Sequence, residues 1–278
     1  MRRGSWNWLR VTGGYGLFAV AIAYVVYTAP GTVWHLQPHW LILSIVMLLL
    51  LIVMQVLQVA VFLKAHGIGI EARWVISFTV KRGLLNAVIP VRGGTLMMMR
   101  AMTMRYAVRW QEYLLFNVIS GMVSMLWSIL ALVWLVFGTI GVVVFTLVGL
   151  LAIYLLIRLK SIPYWSSLPS LVWLAGGLYI TILLVFWSLL NGMGLNVPIR
   201  DAMYFAVALN ALAQISVTPG NFGVREWVMG ILAPYLALPV SLGILAGGVF
   251  HVLRVLVYGL ILMIVGLGTD FQESKAPR

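Results

Sequence analysis

The sequence predicts an all-α fold: a polytopic transmembrane helix bundle of six full spans plus two re-entrant helical hairpins, arranged as an inverted repeat. Three observations point there. The chain is 63% hydrophobic and 9% charged over 278 residues, whereas soluble domains are about a quarter charged. Apolar runs close to the roughly 20 residues that cross a bilayer recur along it. Two less apolar stretches are broken in the same way, with Gly94 four residues after Pro90 and Gly223 four residues after Pro219.

The N-terminal MRRGSWNWLR is basic and carries Trp6 and Trp8, which suit a membrane interface. The run Tyr15 to Ala29 is the first predicted span. A signal peptide has a similar outline, but Pro30 after Ala29 makes a poor cleavage site. A loop without Lys or Arg leads to Trp40–Leu63, the second span. Residues 71–109 are less apolar, and Pro90, Gly93 and Gly94 divide them into halves too short to cross. They read as a hairpin that enters and leaves on one face. Glu112–Phe137 is the third span, a tight turn is expected at Gly138 to Gly141, and Val142–Ile157 is the fourth. Leu171–Leu190 is the fifth, residues 199–238 form the second hairpin, and Ser241–Leu267 is the sixth.

The repeat divides one membrane domain into halves at 1–138 and 139–278. Each half holds two spans, a broken hairpin and one span. Three crossings are an odd number, so the second half is inverted, the layout of transporters whose sites lie between interrupted segments. Charge tests this layout independently of hydropathy. With both termini in the cytoplasm, Arg92, Arg225 and Arg254 fall at membrane depth. Of the other 15 basic residues, 14 fall on the cytoplasmic side and only Arg200 falls outside.

Composition also excludes several classes. The net charge of +12 is accounted for by membrane flanks, so no nucleic-acid partner is implied. There are no cysteines for thiol chemistry, and His35, His39, His66 and His251 lack metal-ligand spacing. No Gly-x-x-x-x-Gly-Lys loop is present for a nucleotide. No metal, cofactor or catalytic residue is assigned.

The candidate site lies where charge meets the breaks. Arg92, Arg225 and Arg254 are expected to face a polar interior, because intramembrane charge is costly and must find a partner or ligand. Arg254 is about halfway along the last span, too deep for easy snorkelling. Arg225 and Glu226 are sequence neighbours and cannot face each other on a helix, so Glu226 is expected to pair with Arg254. That leaves an excess of positive charge suited to phosphate, which guanidinium binds bidentately. Gly93, Gly94, Pro219, Gly220 and Gly223 would free first-turn amides to aim at the same point, with Thr95 and Asn221 adding hydrogen bonds. The plainer reading of the glycines is close backbone packing. His251 lies one turn before Arg254; bonding to a neighbouring helix is the simpler role, a proton relay the sharper one.

The motif Pro219-Gly220-Asn221-Phe222-Gly223-Val224-Arg225-Glu226 resembles the lysylphosphatidylglycerol synthase transmembrane-region family. Leu85 to Gly94 with Arg100, and His251 to Arg254 with Tyr258 and Gly259, resemble its other two motifs. The resemblance implies a flippase-like protein of the cell inner membrane with two re-entrant hairpins. The resemblance implies a relation to translocases thought to move aminoacylated phosphatidylglycerol, with an envelope-lipid biosynthetic enzyme as a partner, whereas the arginine excess points to an anionic phospholipid or lipid-linked phosphate as cargo. The family often has an acidic residue where this chain has Thr95, and charged residues where it has Asn117 and Ser120. The soluble aminoacyl-transferase domain is absent from these residues. Two rival expectations remain: a membrane-embedded headgroup transferase built on Glu226, and a non-catalytic assembly partner of an envelope glycosyltransferase.

Overall fold

A computed structural model describes residues 3–28, 37–88, 93–158, 167–214, 218 and 221–265. Those residues fold into a helical bundle without strands. The helices are α1 (Arg3–Thr28), α2 (Pro38–Ala65), α3 (Ala72–Val88), α4 (Gly93–Tyr106), α5 (Trp110–Arg158), α6 (Leu168–Gly192), α7 (Ile199–Gln214), α8 (Val224–Leu232) and α9 (Val240–Val265), with a 3-10 turn over Ala233–Leu236 between the last two.

Among the described residues, four helices are long and apolar enough to cross a membrane: Pro38–Ala65, Trp110–Gly141, Leu168–Gly192 and Val240–Val265. The first expected span contributes a shorter apolar helix, Gly16–Thr28. The tight turn expected at Gly138 to Gly141 narrows to one residue. Helical structure runs on either side of Gly138, which alone departs, at φ 66° and ψ −157°. A side chain would strain that positive φ, and glycine does not.

The two broken segments each give a packed helix pair, α3 with α4 and α7 with α8. The breaks themselves are only partly described: Pro90, Arg92, Pro219 and Gly220 lie outside the described residues. In the first pair the arms approach closely at Gly94, where an added Cβ would run into the carbonyl oxygen of Arg82. The second pair leans on α9 instead. Gly243 and Gly247, four apart and so on one face, lie against α8. A Cβ at Gly243 would strike the Met229 carbonyl, and one at Gly247 would sit 3.2 Å from Glu226 Cα. Small residues at this spacing let membrane helices bring their backbones together.

Helix α9 also packs on α3. Gly83 makes room there for the Tyr258 ring, which would lie 2.6 Å from a Cβ at that position. The Tyr258 hydroxyl donates to Gln55 Oε1 on α2 at 3.1 Å. Helix α9 therefore touches both pairs and the second helix, and a residue halfway along it is placed between them. Helices α2 and α6 run against each other, joined by Ser44 and Ser188 at 2.7 Å between hydroxyls. Helix α1 covers α8 and α9 with Ala21 and Val25 buried, and Trp227 donates to the Leu17 carbonyl.

Candidate functional site

A cavity of about 300 Å³ lies where α2 to α9 converge. Its wall is drawn from short polar stripes on otherwise apolar helices. Gln55 and Gln58 come from α2; Arg82 and Asn86 from α3; Thr95 from α4; Asn117, Ser120 and Ser124 from α5; Asn210 and Gln214 from α7; Asn221 and Arg225 from the start of α8; Arg254 and Tyr258 from α9. Within each stripe the spacing is three or four residues, the interval that returns to one helix face. Membrane helices admit polar groups where they face each other or a cavity rather than lipid.

Among the described residues, three guanidinium groups reach this wall and no carboxylate does. Arg82 donates to the Tyr113 hydroxyl at 3.3 Å. Arg225, only 3% exposed, has Nη1 at 3.0 Å from His251 Nδ1. Guanidinium has donors only, so Nδ1 accepts and the ring is neutral with its proton on Nε2. The ring also meets Phe222 edge to face at 4.1 Å. Arg254 sits 5.9 Å from the Phe250 ring centre and Arg225 sits 5.5 Å from the same ring, so two cations share one aromatic. Arg254 forms no ion pair among the described residues, and its buried Nε has no hydrogen-bond partner there.

The expected pair between Glu226 and Arg254 is therefore not formed. Glu226 is the third residue of α8, wholly buried behind the wall against Gly247 of α9. Its carboxylate approaches the amides of Gly223 and of its own residue, yet neither oxygen closes a well-formed hydrogen bond to a described residue. Negative charge in the first helical turn is favoured by the aligned peptide dipoles. That gives Glu226 a local reason to turn back toward its own helix start rather than across to α9.

Of the residues singled out in the sequence, Thr95, Asn221, Arg225 and Arg254 meet on the cavity wall. Gly94 and Gly223 do not line it; Gly94 serves close packing, and Gly223, at φ 77°, opens α8 in a conformation that glycine adopts without strain. Gly93 begins α4 and is also off the wall, as is His251, which supports Arg225 from behind. Arg92, Pro219 and Gly220 lie outside the described residues. The expected free amide at Thr95 is occupied: Thr95 N–H donates to Asn86 Oδ1 at 3.1 Å while Asn86 Nδ2 donates to Thr95 Oγ1 at 3.2 Å. Asn221 likewise ties its amide group to the Leu212 carbonyl.

The sequence places Arg82 with the cytoplasmic flank because a basic cluster surrounds it, and it does not mark Gln55, Gln58, Asn210 or Gln214 as site residues, since carboxamides carry no charge to draw notice. The signal was nevertheless present as Gln55 with Gln58, Asn117 with Ser120 and Ser124, and Asn210 with Gln214, each set on one face of its helix. Some of these residues hold the frame rather than a ligand. Asn210 donates to the Ser124 carbonyl and to Ser128 Oγ, both at 2.8 Å, and accepts from Ser124 Oγ at 2.9 Å, locking α7 to α5.

Comparison with protein-family models, curated proteins and solved structures finds no match.

Proposed function

We propose that the protein is a flippase-like transporter that passes an anionic lipid, or a lipid-linked phosphate, across the cell inner membrane through this cavity. One observation carries the reading: among the described residues, three guanidinium groups and no carboxylate line a polar cavity, and Arg254 forms no ion pair. A half-buried cation with no ion pair, as Arg254 is among the described residues, is favourably met by a bound phosphate through paired, charge-assisted hydrogen bonds.

The topology that suits this role is the one the sequence suggests. Six crossings with both termini cytoplasmic would leave α3–α4 and α7–α8 as re-entrant pairs entering from opposite faces. The cavity between them would then lie near the midplane, as in transporters with inverted repeats. The likeness to lysylphosphatidylglycerol synthase transmembrane regions supports the same assignment through the Gly223 to Glu226 motif. A transferase needs an acid or base within reach of the headgroup, and Glu226, the carboxylate beside Arg225, stands behind the wall.

The test is transport by purified protein in proteoliposomes with an acyl-labelled anionic phospholipid. Arg225→Ala and Arg254→Gln should each slow transfer at least tenfold, with folding checked by elution profile. Equal rates for wild type and a folded Arg254→Gln protein would count against the proposal.

A further inference from the structure

Resting on that reading of the cavity, we infer that the headgroup it takes is a phosphate joined to an uncharged polyol or sugar, not to a cationic aminoacyl group. The basis is the pairing of guanidinium groups with neutral side chains that have hydrogen-bonding capacity to spare. Gln58 is 8% exposed, and its carboxamide, on the cavity wall, makes no hydrogen bond with a described residue. The Ser120 hydroxyl is in the same position. Gln55 accepts from Tyr258 through Oε1, which leaves its amide group to donate. Asn117 donates through Nδ2 to the Tyr113 carbonyl at 2.7 Å, which leaves Oδ1 to accept.

These groups offer donors and acceptors together. A hydroxyl is both donor and acceptor, so a polyol can satisfy both kinds at once. An ammonium group has donors only and would lie among three cations. Only carboxylates would offset that repulsion, and none lines the wall among the described residues. The sequence has six acidic residues. Glu71 pairs with Arg105 at 2.6 Å and Glu112 with His66 at 3.3 Å. Asp201 lines a separate pocket with Tyr204 and Tyr235. Glu226 is behind the wall, and Asp270 and Glu273 follow the last described helix. The undescribed residues at the two breaks, 89–92, 215–217, 219 and 220, include no acid.

Albumin back-extraction from proteoliposomes tests this with three acyl-labelled lipids: phosphatidylinositol, phosphatidic acid and lysylphosphatidylglycerol. Free inositol 1-phosphate, enclosed in matching vesicles, is the fourth probe. Phosphatidylinositol should move roughly tenfold faster than the other two lipids, the scale of one or two hydrogen bonds. Gln58→Leu combined with Ser120→Ala should bring the phosphatidylinositol to phosphatidic acid ratio close to one. Gln58→Glu, which puts a carboxylate on the wall, should shift preference toward lysylphosphatidylglycerol. Equal rates for the three lipids, slowed together by Arg254→Gln, would overturn the headgroup inference and leave the transport reading standing. Release of inositol 1-phosphate in place of any lipid would keep the headgroup inference and remove the lipid. No movement of any probe would remove both.

Discussion

The two helix pairs, α3–α4 and α7–α8, reach the same cavity by different means. Both pack on α9, but the first also ties its arms together at the helix start. Asn86 and Thr95 join its arms by two reciprocal hydrogen bonds, and Gly94 brings their backbones together. The second depends on its neighbour. Its short helix α8 lies on the Gly243 and Gly247 face of α9, and its cation is steadied by His251 of α9. The first pair contributes a cation backed by a neutral hydroxyl, Arg82 on Tyr113. The second contributes the buried guanidinium of Arg225 and keeps a buried carboxylate at its back. Both pairs would feel a shift of α9, but only the second has its cation held directly by an α9 side chain, so such a shift would reach Arg225 first.

Steric changes give the largest expected effects. Gly94→Val and Gly243→Val each drive a side chain into a backbone carbonyl that cannot swing away, and each should cost about 3 kcal/mol or more. Thermal unfolding in detergent measures both. If Gly243→Val is tolerated while Gly94→Val is not, α8 is less dependent on α9 than the contrast requires.

Removing the partner of Arg225 comes next. His251→Phe leaves a buried donor without its acceptor and should cost about 1–3 kcal/mol, seen as a lower unfolding midpoint. His251→Gln, which restores an acceptor, should recover part of that loss. Equal midpoints for the two variants would mean the contact adds packing alone.

Asn86→Ala should untie the first pair for about 1 kcal/mol, the usual scale of a lost helix cap. Hydrogen exchange should then rise at Thr95 and its neighbours while α8 keeps its protection. Exchange rising equally in both pairs would erase the distinction between them. The smallest effect is expected from Arg105→Gln. That residue's bridge to Glu71 is largely exposed, and such pairs contribute at most about 1 kcal/mol.

The helices were legible in the sequence because hydropathy and Pro-Gly breaks act locally. Trp40–Leu63, Leu171–Leu190 and Ser241–Leu267 correspond closely to α2, α6 and α9. Arg225 and Arg254 were legible as site residues for a similar reason: charge inside an apolar run is conspicuous. Partners were not legible. Glu226 and Arg254 suggested a pair by opposite charge and depth, but Glu226 turns back to its own helix start, and the placing of His251 beside Arg225 arises from how α8 lies on α9. Side-chain capacity was hidden in the same way. Asn86, Asn117 and Gln58 are alike in sequence, yet the first is spent on Thr95, the second is half spent on Tyr113, and the third is open to the cavity.

The proposal that the cavity's arginines hold an anionic headgroup is tested most directly by weighing the lipid that the protein keeps. Native mass spectrometry after mild detergent extraction should find an anionic phospholipid on the wild-type protein. Occupancy should fall about tenfold in Arg254→Gln and remain unchanged in Arg105→Gln. Equal lipid occupancy in all three proteins, or retention of zwitterionic lipid alone, would contradict the account.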